Sequence, residues 1–344
     1  MDKVARLPDA QRKELFSETA ARMKLPPGLI EKDFWVCWTI KHLFSVPEFK
    51  GHLLFKGGTT LSKVFSVIKR FSEDIDLAVD WEMLGFKGDR SPLQDLTRKK
   101  HDARLLEMRE TCKKYIANDF LGTLQKRIDS TIAPAASCRL EVDAADGQIV
   151  NFFYPTITDR VAYVRPAVRL ELGTHAEFIP RDRYVIKPYA ADHFPRVFED
   201  ASCPVTAIKA ERTFWEKVTI LHQEHHRTSA HQAPDRYSRH YYDVFMLASD
   251  PTIRKAALAD PGLLKRVVTH KERFFRSAWA RYDLASPATF QLQPSEAWRD
   301  YLHKDYEKMK VMLFGEVPIF EEILAGLQNL ETDIRKMGQE TQSD

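Results

Sequence analysis

Two aspartates with one residue between them, Asp74 and Asp76, have the spacing of a divalent-metal site. The apolar residues Ile75, Leu77 and Val79 alternate with a period of two, which predicts a strand. Residues two apart in a strand point to the same face, so both carboxylates would face one way while Ile75 and Leu77 enter the core. Mg²⁺ is usually held by one or two carboxylates together with substrate phosphates. The sequence therefore predicts an Mg²⁺ site, which Mn²⁺ could also fill.

A glycine turn precedes these aspartates, in the run Phe55-Lys56-Gly57-Gly58-Thr59-Thr60-Leu61. A short apolar strand ends at the two glycines, and apolar residues at helical spacing predict a helix over 60–68. Backbone N–H groups at the start of a helix suit a triphosphate, so the candidate nucleotide-binding residues are Gly57, Gly58, Thr59, Thr60 and Ser72. The alternative is an ordinary glycine turn before a half-buried strand with an acidic solvent face.

A third acidic metal ligand is expected from a neighbouring strand. The segment Val168–Gly173 alternates apolar and charged residues, and a strand there would present Arg169 and Glu171 on one face. Glu141 and Asp143 offer an equally periodic acidic face. Glu171 is the first candidate for the third metal ligand, and the other two acids remain alternatives.

Composition places the chain among ordinary globular proteins. It has 344 residues, 44% hydrophobic and 29% charged, enough for one long domain or two packed lobes. The net charge of +3 is too small to indicate nucleic-acid binding by itself. Four scattered cysteines without Cys-x-x-Cys spacing argue against a disulfide framework or a zinc knuckle. We find no apolar leader and no run of about 18 apolar residues, so no membrane association and a cytoplasmic location are expected.

The pattern of elements predicts an α+β fold. Two opening helices are expected over 8–23 and 29–43, and one or two amphipathic helices over 105–124. Three or four strands of a mixed sheet are expected over 138–188. After about Val205 the pattern is helical. A boundary near residue 200 would separate a domain over 1–200 from a helical domain over 201–335, with a polar, frayed tail over 336–344.

Several of these motifs in combination resemble a known family, the AbiEii-type toxins of type IV toxin–antitoxin systems. This MenT-like group belongs to the polymerase-beta-like nucleotidyltransferases. The resemblance covers most of the chain and is carried by the glycine run and by Ile30-Glu31-Lys32-Asp33-Phe34-Trp35, Arg70 to Leu77, Glu211-Arg212-Thr213-Phe214-Trp215-Glu216-Lys217-Val218 and Arg239-His240-Tyr241-Tyr242-Asp243-Val244-Phe245. It implies a polymerase-beta-like nucleotidyltransferase core with a mixed β-sheet and a mostly helical C-terminal lobe.

The resemblance also implies which residues serve the active site. A lysine and an aspartate required by the family match Lys217 and Asp243, which would act with Asp74 and Asp76. The Lys217 ammonium would neutralise triphosphate oxygens, and Asp243 would hold it or help to deprotonate an acceptor hydroxyl. The alternative is that Lys217 is a solvated helix lysine and Asp243 is half of a surface pair with Arg239. Related enzymes more often use aspartate as the third ligand, whereas this chain offers Glu171.

Two basic regions are candidate acceptor surfaces. The first, over 222–239, is rich in histidine and arginine and is expected to be an exposed turn that could touch RNA phosphates. His222 and His226 could also bind zinc, although the His-Glu-x-x-His order is absent. The second, over 265–282, interleaves cations with aromatic residues, which suits RNA phosphates and unpaired bases. Its apolar residues, among them Val267 and Phe274, could equally form the buried stripe of a helix.

The family resemblance implies transfer of a nucleotide from an NTP to the 3′ end of tRNA, with Mg²⁺ as cofactor. Such a modification would block aminoacylation and hence translation and growth. It also implies a cognate, AbiEi-like antitoxin. Two alternatives stay open: a nucleotidyltransferase that modifies a protein or a small molecule, and a non-catalytic module that binds nucleotide or RNA.

Overall fold

The computed structural model describes residues 1–161, 164–165, 167–228 and 235–340, with the backbone alone described at residue 340. The chain divides into two units. The first comprises Met1–Val64 and Phe71–Ile208, and the second comprises Phe65–Arg70 and Lys209–Asp344. The sequence placed a single boundary near residue 200. The structure places it after Ile208 and also assigns a short segment before Phe71 to the second unit.

The first unit is built on a mixed sheet, as the sequence predicted. Its strands among the described residues are β1 Leu53–Lys56, β2 Asp74–Val79, β3 Arg139–Val142, β4 Ile149–Phe153, β5 Val168–Gly173, β6 Arg181–Ile186 and β7 Cys203–Ile208. They lie in the order β3-β4-β5-β2-β1-β7-β6. The pairs β2–β5 and β1–β7 are parallel, whereas the other neighbouring strands are antiparallel.

Strand β7 was missed by the sequence pattern, which predicted helix from about Val205. The run Cys203-Pro204-Val205-Thr206-Ala207-Ile208 is short and leads directly into a helix, so its alternation is hard to separate from helical spacing. In the structure Val205 and Ala207 face one hydrophobic cluster and Ile208 faces another. A strand with apolar residues on both faces is typical of the interior of a sheet.

One face of this sheet is covered by aromatic-rich helices. The helices of the first unit are α1 Asp2–Ala5, α2 Asp9–Met23, α3 Pro27–Ser45, α4 Gly58–Lys63, α5 Arg98–Tyr115, α6 Leu121–Ile132 and α7 Tyr189–His193, with a π-helical turn Ile116–Phe120 between α5 and α6. From α3, Trp35 stacks on Tyr154 at 5.5 Å between ring centroids and Trp38 stacks on Phe152 at 5.9 Å. On the other face, Leu54, Ala78 and Ile208 form a small apolar group against which Ala176 and Phe178 pack.

The helix predicted over 60–68 ends early, so that prediction is wrong beyond Lys63. Ser66 has φ +54°, a left-handed conformation that a right-handed helix cannot contain. The backbone of Arg70 then forms a β-bridge with Leu313, and the Lys69 carbonyl accepts a hydrogen bond from Phe314 N at 2.9 Å. The apolar residues with helical spacing over 60–68 therefore belong to two different units of the chain.

The second unit is helical, as predicted. Its helices are α8 Ala210–His225, α9 Ser238–Ser249, α10 Pro251–Leu258, α11 Pro261–Phe274, α12 Glu296–Met309 and α13 Phe320–Glu340. Asp250 and Asp260 are the N-caps of α10 and α11, and a proline follows each of them. The tail predicted to fray begins inside α13, which continues to Glu340, and residues 341–344 lie outside the described part. None of the described helices is both long and apolar enough to cross a membrane.

Candidate active site

The two aspartates of β2 share one face of the sheet, as their spacing predicted. Ile75 and Leu77 between and after them are fully buried. Parallel strand β5 lies alongside, with Asp74 opposite Arg169 and Asp76 opposite Glu171. Residues directly opposite one another in neighbouring strands project to the same face. Glu171 is therefore beside Asp76, in the place from which a third carboxylate could reach the same ion.

The two alternative acidic residues, Glu141 and Asp143, are either further from β2 or already hydrogen-bonded to other groups. Glu141 is on β3, which β4 and β5 separate from β2, and it forms an ion pair with Arg139 at 2.9 Å. Asp143 accepts hydrogen bonds from Ala145 N at 3.0 Å and from Asn151 Nδ2 at 3.1 Å. Strand order therefore favours Glu171 over both.

Crowding of carboxylates dominates the electrostatics of this face. Burial, together with the negative charges of Glu73, Glu171 and Asp76, raises the pKa of Asp74 to about 6 against the opposing charge of Lys32. Glu171 is partly neutralised by Arg169, whose Nε lies 3.2 Å from Glu171 Oε1. A cation placed among these carboxylates would relieve their mutual repulsion.

The donor set fits a magnesium ion that also binds substrate. Among the residues that the structure describes, no group of three His, Cys, Asp or Glu side chains forms a ready metal cage. Mg²⁺ does not need one, because it usually takes one or two carboxylates and completes its shell with water and phosphate oxygens. Asp74 and Asp76 supply that number of hard oxygen ligands from one strand.

The glycine turn packs directly against Asp76. Gly57 has φ +82°, and a Cβ atom there would lie 1.8 Å from Asp76 Oδ2, so only glycine fits. Helix α4 begins at the next residue, Gly58. The backbone N–H groups of its first turn have no partner within the helix and are available to an anion.

The hydroxyl groups of the two threonines in the turn make hydrogen bonds within the protein. Thr59 and Thr60 are fully buried. Thr59 Oγ1 donates to the Asp74 carbonyl oxygen at 2.5 Å and lies 2.9 Å from Ser72 Oγ. Thr60 Oγ1 donates to the Gly57 carbonyl oxygen at 2.7 Å. These bonds tie the turn to β2 and leave backbone groups as the donors that a phosphate could meet.

Replacing Gly57 with alanine is expected to reduce the nucleotidyl transfer that the sequence predicts by about 10²-fold, because the new methyl group displaces Asp76. The matched control is Gly51→Ala. Gly51 has a similar φ of +84°, but no atom lies within 4 Å of the position that a Cβ would take there, so the variant carries the backbone strain without the contact. Steady-state kcat/KM of both variants is the measurement. Equal losses in the two would show that backbone strain, and not the contact with Asp76, causes the defect.

A second cluster of charged residues lies within the second unit. Lys217 on α8 is 2.8 Å, Nζ to Oδ2, from Asp243 on α9. Arg70 donates Nε to Asp243 Oδ1 at 2.7 Å and Nη2 to Asp243 Oδ2 at 2.8 Å. The exposed fractions of the Asp243 and Lys217 side chains are 0% and 9%. The alternative of a solvated lysine and a surface pair with Arg239 is therefore wrong.

This cluster holds two cations and one anion away from water. Burial acts to raise the pKa of Asp243, but the charges of Arg70 and Lys217 outweigh it and hold that pKa well below its usual range. Burial lowers the pKa of Lys217 although Asp243 opposes the change. Arg70 and Lys217, which both contact Asp243, are cations, so the cluster offers positive charge to an anionic ligand.

Two members of this cluster were not among the sequence candidates. Arg70 stands inside a motif that carried the family resemblance, yet nothing in its local pattern indicated a partner on α9. His240, one turn before Asp243, has an Nδ1 that is buried and makes no hydrogen bond. Burial, together with the nearby cations Lys217 and Arg239, lowers the pKa of His240 well below its usual value, so its imidazole is neutral.

The first basic region differs from the exposed turn that was predicted. Residues 222–225 continue α8, and His222 is fully buried. His222 Nε2 donates to the Arg281 carbonyl oxygen at 3.0 Å, and Nδ1 accepts from Gln291 N at 3.2 Å. Both ring nitrogens are engaged by backbone groups, which leaves His222 no lone pair for zinc. Residues 229–234 of this region lie outside the described residues.

The second basic region contains the buried stripe that its apolar residues predicted. Helix α11 buries Leu263, Leu264, Val267 and Phe274, so these residues form a core stripe. Phe275 follows the helix and is 44% exposed, with Lys271 Nζ 4.8 Å from its ring centroid. The aromatic residues of this region are therefore partly core and partly surface.

Similarity to known proteins extends over most of the chain. A family model described as "Nucleotidyl transferase AbiEii toxin, Type IV TA system" matches residues 38–326, well over half of the chain. Among solved structures, the chain is similar to MenT4, the nucleotidyltransferase toxin Rv2826c from Mycobacterium tuberculosis H37Rv. That similarity has 16% sequence identity and a TM-score of 0.42, and it covers 96% of this chain and 99% of that one. A search of curated proteins returned no match.

Proposed function

Because the chain belongs to the AbiEii family of nucleotidyl transferase toxins of type IV toxin–antitoxin systems, we propose that it transfers a nucleotide from an NTP to the 3′ end of tRNA. Family membership makes the chain a nucleotidyltransferase and implies an antitoxin partner. The tRNA acceptor, the Mg²⁺ cofactor, the AbiEi-like identity of the antitoxin and a cytoplasmic location are part of the proposal. Blocked aminoacylation would then stop translation and growth.

One observation carries the assignment of the site: the glycine turn lies against a metal-type carboxylate. Gly57 contacts Asp76 so closely that no side chain fits between them, and Asp74 and Glu171 lie on the same face. A phosphate on the backbone N–H groups of this turn would meet an ion held by Asp74 and Asp76. An ordinary surface turn before an acidic strand would not need to lie so close to a carboxylate of that strand.

The residues of the chain have separate roles in this reaction. The acceptor hydroxyl oxygen attacks the α-phosphorus of the NTP and its proton passes to solvent, the bond from the α-phosphorus to the bridging oxygen breaks, and pyrophosphate leaves. Asp74 and Asp76, with Glu171 as third ligand, would hold Mg²⁺, which supplies positive charge to the triphosphate when bound. Gly57 to Thr60 would position the triphosphate through backbone donors. Ser72 would support that turn through Thr59.

Lys217 and Asp243 are proposed to be required for transfer, on the strength of the resemblance and of their buried ion pair. Lys217 would neutralise triphosphate oxygens. Asp243 accepts hydrogen bonds from two cations, and its pKa is lowered, which argues against a general base and supports a positioning role. Arg70 would hold Asp243 in the same manner.

The direct test is incubation of the purified protein with each labelled NTP, Mg²⁺ and total cellular RNA, resolved on a denaturing gel. Label at the size of tRNA, released by digestion from the 3′ end, supports the proposal and identifies the donor nucleotide. Label on a protein or a small molecule instead would keep the nucleotidyltransferase and overturn the acceptor. Transfer to no acceptor by a folded protein would favour a binding module.

Magnesium is expected to stabilise the protein more at about pH 7.5 than at about pH 5. The folded-state pKa of Asp74 is about 6, above its ordinary value, so the folded state binds more protons and loses stability as the pH rises through about 6. An ion bound by Asp74 and Asp76 offsets this loss at high pH and competes with protons at low pH. Melting temperatures with and without Mg²⁺ at both pH values are the measurement. A shift of equal size at both, or one that persists in Asp74→Asn, would contradict binding at this site.

A further inference from the structure

Helix α3 carries three consecutive ionisable residues that are all buried. Glu31, Lys32 and Asp33 have exposed fractions of 1%, 0% and 3%. Buried charges cost several kcal/mol each unless they are paired. Successive residues of a helix project about 100° apart, so each of the three reaches a different segment of the first unit.

Lys32 holds the start of the carboxylate strand. Its Nζ donates to Glu73 Oε2 at 2.7 Å and to the Arg165 carbonyl oxygen at 2.9 Å. Glu73 immediately precedes Asp74 in the chain and also accepts from Arg165 N at 3.2 Å. Glu73 is 6% exposed, so this ion pair lies in the interior. The position at which β2 begins is therefore set by α3.

Asp33 holds the end of the glycine-turn helix. Its Oδ1 accepts from Lys63 Nζ at 2.6 Å, and its Oδ2 accepts from Tyr189 N at 2.7 Å. Lys63 is the last residue of α4, and its Nζ lies 3.7 Å from the Tyr189 ring centroid. Burial acts to lower the pKa of Lys63, but the charge of Asp33 outweighs it and the pKa is raised. Lys63 is therefore held as a cation against α3.

Glu31 completes the set by holding the chain beyond β4. It accepts hydrogen bonds from Ile157 N at 2.9 Å and Thr158 N at 3.1 Å, and from Thr158 Oγ1. One helical turn thus binds three segments that are distant in sequence. Two of those segments are the halves of the candidate active site.

We propose that Lys32 and Asp33 are positioning residues that set the spacing between the carboxylates of β2 and the glycine turn of α4, a role that rests on the function proposed for that site. Both contacts start from adjacent residues of one rigid helix, so the positions of β2 and α4 are both fixed relative to α3. The bond from Thr59 Oγ1 to the Asp74 carbonyl joins the two halves directly. A misplacement of about 1 Å between a nucleotide and its metal ligands can cost about 10²-fold in rate.

A role of these charges in stability can be separated from a role in positioning. Replacing a buried ion pair as a whole by neutral residues of similar size is often neutral or stabilising, whereas removing one partner is costly. Paired replacement therefore separates positioning from folding. The two double variants are Lys32→Met with Glu73→Gln, and Asp33→Asn with Lys63→Met. The amide side chains introduced at positions 73 and 33 would keep a carbonyl acceptor for Arg165 N and Tyr189 N.

The two double variants are expected to fold with melting temperatures close to that of the wild type and to differ in which ligand they lose. The Lys32/Glu73 variant should raise the half-saturating Mn²⁺ concentration about tenfold, measured by electron paramagnetic resonance of free Mn²⁺. The Asp33/Lys63 variant should raise the KM for NTP with little change in Mn²⁺ binding. Each should lower kcat by about 10²-fold.

The matched control lies on the same helix. His42 is fully buried, its Nε2 is 2.9 Å from Asp2 Oδ1, and it lies about 15 Å along α3 from Lys32. His42→Gln should leave kcat, KM and Mn²⁺ binding unchanged. Wild-type binding and kinetics in both double variants would overturn the proposal. So would losses that follow the melting temperature and occur equally in His42→Gln. If the wild type transfers to no acceptor, the proposed function fails, whereas Mn²⁺ and NTP binding still test the spacing.

Discussion

Asp76→Asn is expected to reduce nucleotidyl transfer by about 10³-fold while the protein remains folded. Charge neutralisation by a metal ion is worth several kcal/mol in the transition state, and each 1.36 kcal/mol corresponds to about a tenfold change in rate. Asparagine has the shape of aspartate and fits the contact with Gly57, but it contributes no negative charge to the ion. Single-turnover rates with a labelled NTP at saturating Mg²⁺ are the measurement.

The control for this variant is Glu141→Gln. Glu141 lies on the same sheet, two strands away from β5, and was an alternative ligand on sequence grounds. Its neutralisation should leave the rate unchanged, because it already pairs with Arg139 at an exposed position. A large loss in Glu141→Gln, or a normal rate in Asp76→Asn, would remove the carboxylates of β2 from the proposed site.

Asp243→Ala is expected to destabilise the protein by about 3–5 kcal/mol and to abolish transfer. The substitution leaves Arg70 and Lys217 buried without their anion, and breaking a buried pair from one side typically costs this amount. Asp243 has a depressed folded-state pKa, so its stabilisation is fully present above its ordinary pKa of about 4 and is lost as the pH falls further. Urea denaturation at neutral and acidic pH measures both effects.

Two further variants separate stability from activity at this cluster. Lys217→Met keeps the two hydrogen bonds from Arg70 to Asp243, so it should remain near wild-type stability and still lose transfer. Arg239 was the partner of Asp243 in the rejected interpretation of a surface pair. Arg239→Gln should change the free energy of unfolding by less than about 0.5 kcal/mol. A stable Asp243→Ala variant would contradict the buried ion cluster. Full activity in Lys217→Met would contradict its proposed role.

Local backbone geometry explains why part of this site was readable from the sequence. The alternation around Asp74 and Asp76 fixes which side chains share a face, because the period of a strand is two whatever surrounds it. Gly57, which immediately precedes α4, marks the turn for a similar reason, since few residues other than glycine adopt a positive φ. The mixed sheet of the first unit and the helices of the second followed from the same periodicities.

Sequence patterns failed where one apolar run is divided between the two units. The apolar residues over 60–68 have helical spacing, yet α4 stops at Lys63 and the following residues join the second unit. The apolar run of β7 is short and buried on both faces, so its pattern indicates the start of a helix as readily as a strand. The spacing of apolar residues does not indicate which part of the chain packs against each of them.

Residue types and their spacing were enough to predict the candidate chemistry of this protein: a pair of carboxylates, a glycine turn, and the motifs of its family. The partners of these residues followed from the fold. Strand order places Glu171, and not Glu141, beside Asp76. Arg70 meets Asp243 across 173 positions of the chain. Lys32 and Asp33 reach the two halves of the site from one turn of α3. Side-chain type and spacing are local properties, whereas charge pairing in a low-dielectric interior depends on which distant segments the fold brings together.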